Sequence, residues 1–444
     1  MISRYLTQEE HQYAPFIGAA IFYALIVGFP LGLTLAHAAA QGSDLGGRSP
    51  QLVQVHGHVQ LFGWFGLFVM GMGFRLVSRF TAVKHGQPWL VPATMAAVVA
   101  GISLRVVGQT WGDSGTGASL FAVSAVLSLG GAGLFASYVW RALVLGRPDE
   151  FGYKPFFGAG AFWLFVALAL NAFFVLGAVL DTDPTIPPGR STIAAFVLLY
   201  GFVSMFVFAV SLRTFPVFFG RERADRRLAT ATWACLNAGV ALYTATGLWL
   251  TYERSDALRL LQNGGLLLVA LGLIGMVAAT GVFRGTPHRL RESARRNMRF
   301  VRSAYAWLTV AASLQAYFAV LAILDDRAVR ALQVDAVRHF LALGFLMTVT
   351  LGMAFLVMPA LAMRRLGGRP VRIIALVLLA LLHGSAAARG AGSLIASEGH
   401  LDEGYWTMTA GGVMAILVMA VFLGYLLWRP RSGGDDLPVV QRAE

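Results

Sequence analysis

The stretch HGHVQLFGWFGLFVMGMGFRLVSRF, residues 56–80, opens on two histidines and closes on two arginines around a run of membrane-helix length. An imidazole inside such a run loses its water and must find a partner, so intramembrane ionisable groups are functional candidates. The run has echoes further along the chain. Laying Gly63 over Gly201 and Gly344 puts Gly71 over Ala209 and Gly352, Arg75 over Arg213, and His58 over His339. Two of three copies therefore keep the histidine at one depth.

Around this stretch the chain is 444 residues long, 57% hydrophobic and 13% charged, too apolar for a soluble domain of that size. It reads as an all-α polytopic membrane protein. The N-terminus is polar and its first apolar run is long enough to span, so no cleaved signal peptide is expected. Cys235 is the single cysteine, which excludes an intrachain disulfide, a thiolate iron–sulfur cluster and a CxxCH haem attachment. Any metal is then held by nitrogen, oxygen or methionine sulfur.

At about 20 apolar residues per crossing, twelve transmembrane helices are expected, near residues 14–40, 52–78, 89–110, 117–145, 156–180, 191–219, 227–252, 258–284, 301–324, 333–363, 370–396 and 405–428. The Gly63 to Gly201 interval is 138 residues and the Gly201 to Gly344 interval 143, with about four spans in each. The membrane domain, 1–428, is thus expected as three related four-helix units, about 1–150, 151–290 and 291–428, with a disordered cytoplasmic tail at 429–444. Ligands in such repeats are expected where units meet.

The net charge of +13 suggests nucleic acid, but basic residues in a membrane protein first report orientation. The even-to-odd connections and the termini carry 26 of the 35 Lys and Arg; the odd-to-even connections carry seven, and Arg105 and Arg389 lie inside spans. Both termini are expected in the cytoplasm, no nucleic-acid partner is expected, and anionic membrane lipid is the natural company of the basic clusters. On this orientation His58 and His339 open spans 2 and 10 near the outer face, and Arg75 lies about 25 Å deeper at the cytoplasmic edge.

The acidic residues fall in loops, span ends or the tail, which disfavours a proton-driven carrier. The membrane interior holds instead His56, His58, His339, His383, Arg105 and Arg389. Histidine with arginine and no carboxylate suits a metal-bearing anion, and haem b is one: its iron takes neutral imidazoles from facing helices while its propionates need cations. His58 and His339 are the expected axial pair. Arg105 and Arg389, 17 and 19 residues beyond Pro88 and Pro370, are the expected propionate partners in the outer half. His56 is about 200° round the helix from His58, so it is either supporting or a ligand to something else; His383 is its candidate partner for a copper ion or a second haem. His11, His85, His288 and His400 are expected to be solvated. For any lone histidine, a hydrogen bond to a backbone carbonyl is the plain alternative.

His56-Gly57-His58 ahead of Phe62-Gly63, and His339 ahead of Leu343-Gly344-Phe345 and Thr348 to Gly352, resemble the NnrS family, multi-pass membrane proteins of the nitric oxide response that contain haem and copper. The likeness covers most of the chain as a twelve-span pattern. Gln60 departs from it, since the commoner family form is acidic there. A second resemblance is to the catalytic subunit of haem–copper oxidases and nitric oxide reductases, with twelve spans in three four-helix arcs and a low-spin haem held from helices 2 and 10. Those enzymes also hold metal with histidines of helices 6 and 7, where this chain has none, which argues against oxygen reduction. The resemblances imply a haem-b protein of the bacterial inner membrane, its histidines towards the periplasm, acting in nitrosative stress with nitric oxide or another diatomic as ligand. A transporter or chaperone for haem or copper, and a cofactor-free scaffold, are the alternatives from other classes, and the sequence leaves enzyme status and electron donor open.

Overall fold

The computed structural model describes residues 12–112, 114–285, 292–361 and 369–427, and among them there is helix and no strand. The expected tail at 429–444 lies outside the described residues.

Among the described residues twelve long helices follow one another: α1 Tyr13–Ala40, α2 Ser49–Thr81, α3 Leu90–Thr110, α4 Gly115–Leu145, α5 Lys154–Leu180, α6 Pro188–Phe219, α7 Arg226–Trp249, α8 Asp256–Thr280, α9 Glu292–Leu324, α10 (residues 331–361), α11 Arg369–Ser397 and α12 Leu401–Leu427. Eleven are long and apolar enough to cross a membrane. The other is α7, whose hydropathy is lowered by polar side chains that turn inward: Thr232, Tyr243, Thr244 and Thr246 are buried, and Asn237 accepts a hydrogen bond from Trp163. Burial against neighbours replaces apolarity there. The other difference from the sequence reading is α9, which starts nine residues before the expected 301 because Ala294, Asn297, Met298 and Phe300 find a buried face.

Packing follows a fourfold count. The third and fourth helices of each group form tight hairpins, α3 with α4, α7 with α8 and α11 with α12, while α4 packs on α5, α8 on α9 and α12 back on α1. Glycine allows the close approach. A Cβ on Gly108 would lie 2.5 Å from the Phe121 amide nitrogen, one on Gly239 2.7 Å from that of Val269, and one on Gly392 2.7 Å from the Gly404 carbonyl. The second helices sit inside this ring: 67%, 83% and 72% of the apolar windows of α2, α6 and α10 are buried, against 50% or less in the others.

The 138- and 143-residue offsets recur in the backbone itself. Each inner helix widens into a π-helical segment, at Val59–Gly66, Val197–Ser204 and Phe340–Met347. Segments of this kind are common at functional sites. Within them Gly63, Gly201 and Gly344 face Tyr23, Trp163 and Trp307 of the preceding helix. Those three aromatic groups repeat a bond to the following helix. Tyr23 pairs with Ser103, Trp163 donates to Asn237, and Trp307 Nε1 donates to His383 Nδ1 at 2.8 Å.

His85 is a correction to the sequence reading. Expected in solvent, it is buried under α2, donates from Nε2 to the Phe74 carbonyl at 2.9 Å and packs edge-on to Phe74. The short 82–89 connection folds back far enough to tuck the ring into the bundle.

Candidate functional site

The two retained histidines stand at the same point of the repeat, as the residue directly before the π-helical segment: His58 in α2 and His339 in α10. Both line one cavity of about 540 Å³, at the end of the bundle where α2, α6 and α10 begin. That volume is in the range of small-molecule and cofactor sites, roughly 300–1,000 Å³. Its walls also carry His56, Gln60, Arg105, Asp335, Arg338 and Arg389, so five of the six sequence-derived candidates are brought together.

His58 is buried and its Nε2 has no hydrogen-bond partner among the described residues. Buried polar atoms are almost always paired, so this nitrogen is the clearest sign that the cavity takes a ligand. His339 is held differently. Its Nδ1–H donates to the Asp335 backbone carbonyl at 2.8 Å and lies 3.3 Å from the carboxylate oxygen Oδ1, which fixes the tautomer with Nε2 as the lone-pair nitrogen. A carboxylate behind a histidine is the support that metal-bound imidazoles usually have.

Asp335 was missed in the sequence because it sits at the outer end of its span. The available signal was its spacing: four residues before His339, it lies on the same helix face. Its other oxygen, Oδ2, accepts from Arg389 Nη1 at 2.9 Å and from Ser393 Oγ at 2.6 Å. Arg389 therefore lines the cavity as half of an ion pair, whereas the sequence had offered it as a free cation for propionate.

Arg105 is a buried cation on the same wall. It is 3% exposed, yet its partners are neutral: Nε donates to Gln109 at 2.7 Å, Nη1 to Asn171 at 3.1 Å, and the guanidinium lies 4.6 Å over Phe121. Among the described residues no carboxylate is paired with it. Gln109 in turn donates to Gln54, which is tied to the backbone of Ile186, so the arginine is positioned from α2, α3, α5 and the 181–187 connection. Arg338, which the sequence reading passed over, adds another guanidinium and donates to the Thr192 carbonyl at 3.3 Å. Three arginines against one aspartate leave the walls two charges positive with neutral histidines. An uncompensated charge in a low-dielectric wall is costly until an anion joins it.

His56 and His383 have structural partners. His56 donates from Nδ1 to the Gly28 carbonyl at 2.9 Å, and a side chain at Gly32 would meet the ring at 2.5 Å, so α1 closes around it. His56 still faces the cavity. His383 is not among the lining residues and accepts from Trp307. Among the described residues no group of three or more His, Cys, Asp or Glu side chains gathers into a metal-ion site. The sequence-based pairing of His56 with His383 around copper has no support in these placements.

In the second unit the equivalent of His58 and His339 is Phe196, the residue before its own π-helical segment. Its ring stacks on Tyr243 of α7 at 3.9 Å between centroids and lies 4.5 Å from Tyr200. The space left at this position is about 30 Å³. Aromatic packing closes the middle copy of the site.

The residues present are suited to haem. Two imidazoles reach the cavity with a nitrogen each for iron, and a buried arginine without a carboxylate stands ready for a propionate. No protein-family profile matches the chain, and no curated relative does. Among solved structures, it is similar to a heme-copper terminal oxidase dimer determined by cryo-EM, with TM-score 0.66 and 11% identity, over 94% of this chain and 83% of that one. At that identity the likeness speaks for the fold: this chain is a multi-pass membrane protein with the helical architecture of the heme-copper oxidases.

Proposed function

We propose that this chain is a haem-b-binding membrane protein of NnrS type, with His58 and His339 as the axial pair and Arg105 holding a propionate, acting in the response to nitric oxide at the bacterial inner membrane. The observation that carries the reading is the unpartnered, buried Nε2 of His58 on the same cavity wall as His339.

Bound haem would supply one-electron chemistry and an iron centre for a diatomic ligand. The chain's part is to hold and tune it. Asp335 fixes the tautomer and orientation of His339 through the Nδ1 hydrogen bond, and Arg105 and Arg338 would balance carboxylate charge. His58 and His339 would hold the group from two inner helices, an arrangement that would suit electron transfer or ligand sensing. The closed aromatic copy at Phe196 supports a reading without an oxygen-reducing centre.

The deciding experiment is the reduced-minus-oxidised visible spectrum of purified protein beside His58→Ala and His339→Ala, with haem quantified per chain. One low-spin b-type haem per chain, lost in both variants, supports the axial pair, and nitric oxide titration of the reduced protein then tests the ligand. Colourless protein from haem-replete cells, or haem retained by both variants, overturns the reading. Substoichiometric haem that washes out would instead favour transient cargo.

A further inference from the structure

α5 reaches the histidine cavity through Asn171, which is 6% exposed. Its Oδ1 accepts from Arg105 Nη1 at 3.1 Å. Arginine can only donate, so this contact fixes which way the amide is turned and leaves Nδ2 as its other end. That Nδ2 is buried and has no hydrogen-bond partner among the described residues. Buried amide donors are rarely left so. The guanidinium beside it engages two of its five N–H donors, on Gln109 and Asn171, and keeps the others for a ligand. Spare donors from two helices and one positive charge thus meet on the wall that also carries His58.

The internal repeat accounts for the missing counter-charge. Gln54, Thr192 and Asp335 share one position, four residues before His58, Phe196 and His339. In the third unit that residue is a carboxylate, and it takes Arg389 at 2.9 Å. In the first it is a neutral amide: Gln54 Oε1 accepts from Gln109, whose own oxygen accepts from Arg105. The two histidine-bearing units share a plan and differ by one charge, so the third satisfies its arginine from within the chain and the first does not. A buried guanidinium of this kind is stabilised by an anion that can also bond its neighbour. A carboxylate has an oxygen for each donor, one for Arg105 and one for Asn171.

We propose that Arg105 and Asn171 together seat one ionised carboxylate, which makes Asn171 a ligand-binding residue and turns one propionate of haem towards α3 and α5. This inference rests on the haem reading above and adds the direction in which the group lies.

The test is titration of the haem-free, full-length protein with haem b and, separately, with its dimethyl ester, whose propionates carry no charge, followed by the visible band. Wild type is expected to prefer haem over the ester by roughly tenfold or more. Asn171→Leu is expected to lose most of that preference while binding the ester as wild type does, with an unshifted band that shows the cavity intact. Asn171→Asp, of nearly the same shape, places a carboxylate against Arg105 and is expected to bring haem down to the level of the ester or below it. A fall in haem and ester binding by the same factor in Asn171→Leu overturns the proposal, because it makes the residue a packing element. So does an Asn171→Asp protein that keeps the wild-type preference, and this variant decides alone should Asn171→Leu fail to fold. Equal binding of haem and ester by wild type overturns the carboxylate seat and leaves the axial pair standing. Binding of neither by wild type overturns the haem reading and this inference with it.

Discussion

His339 and Asp335, one helical turn apart on α10, are joined twice: the imidazole Nδ1 lies 2.8 Å from the aspartate's backbone carbonyl and 3.3 Å from its carboxylate. The carbonyl bond alone would fix the tautomer. The carboxylate places negative charge behind the ring, which would strengthen the other nitrogen as a ligand and, with haem bound as proposed, would favour the oxidised iron. Asp335→Asn is therefore expected to weaken haem binding roughly 10- to 100-fold and to raise the reduction potential. Haem titration of the apo-protein and a redox titration check both, and an unchanged potential would reduce the aspartate to packing.

Arg105 and Arg389 should separate ligand binding from folding. Arg389 is paired with Asp335 at 2.9 Å, so Arg389→Gln is expected to destabilise the protein even without haem, by about 1.5–3 kcal/mol for the lost charged hydrogen bond. Arg105 has neutral partners only, so in Arg105→Gln the removal of an uncompensated buried charge offsets the lost hydrogen bonds to Gln109 and Asn171, and the variant should lose haem affinity more than apo-protein stability. Thermal unfolding of apo- and haem-loaded forms distinguishes them. The same loss of stability in both apo-variants would count against the distinction.

His383 accepts from the Trp307 indole and lies outside the lining of the histidine cavity. Replacing it by leucine removes the acceptor of the Trp307 indole and should cost about 1 kcal/mol. Haem per chain and its spectrum should not change. A lost or shifted haem band in His383→Leu would return this residue to the ligand set.

The three repeat glycines should respond unequally to alanine. A Cβ at Gly201 or Gly344 would lie 2.7 Å or 2.6 Å from a tryptophan side chain, whereas at Gly63 its nearest neighbour is Tyr23 Cβ at 3.4 Å. Gly201→Ala and Gly344→Ala are expected to lower stability by about 1–3 kcal/mol through overpacking, and Gly63→Ala by much less. Detergent-resistance or thermal melts of the three purified variants test the order.

What the sequence determined is what depends on local chemistry along one chain. Long apolar runs have to be membrane helices because backbone polar groups can be satisfied there only within the helix, and even the polar α7 was bounded within a few residues by its neighbours. The repeat fixed the register of the three inner helices, so that His58 and His339 were matched from the spacing of glycines alone. The tertiary structure decided which faces meet. That Arg389 reaches Asp335, that His383 belongs to Trp307, that Phe196 stacks on Tyr243 and that His85 turns under α2 are all contacts between segments distant in sequence or across a turn. Periodicity gives the direction of a side chain around its own helix axis, but its partner is set by how the helices cross and close around one another.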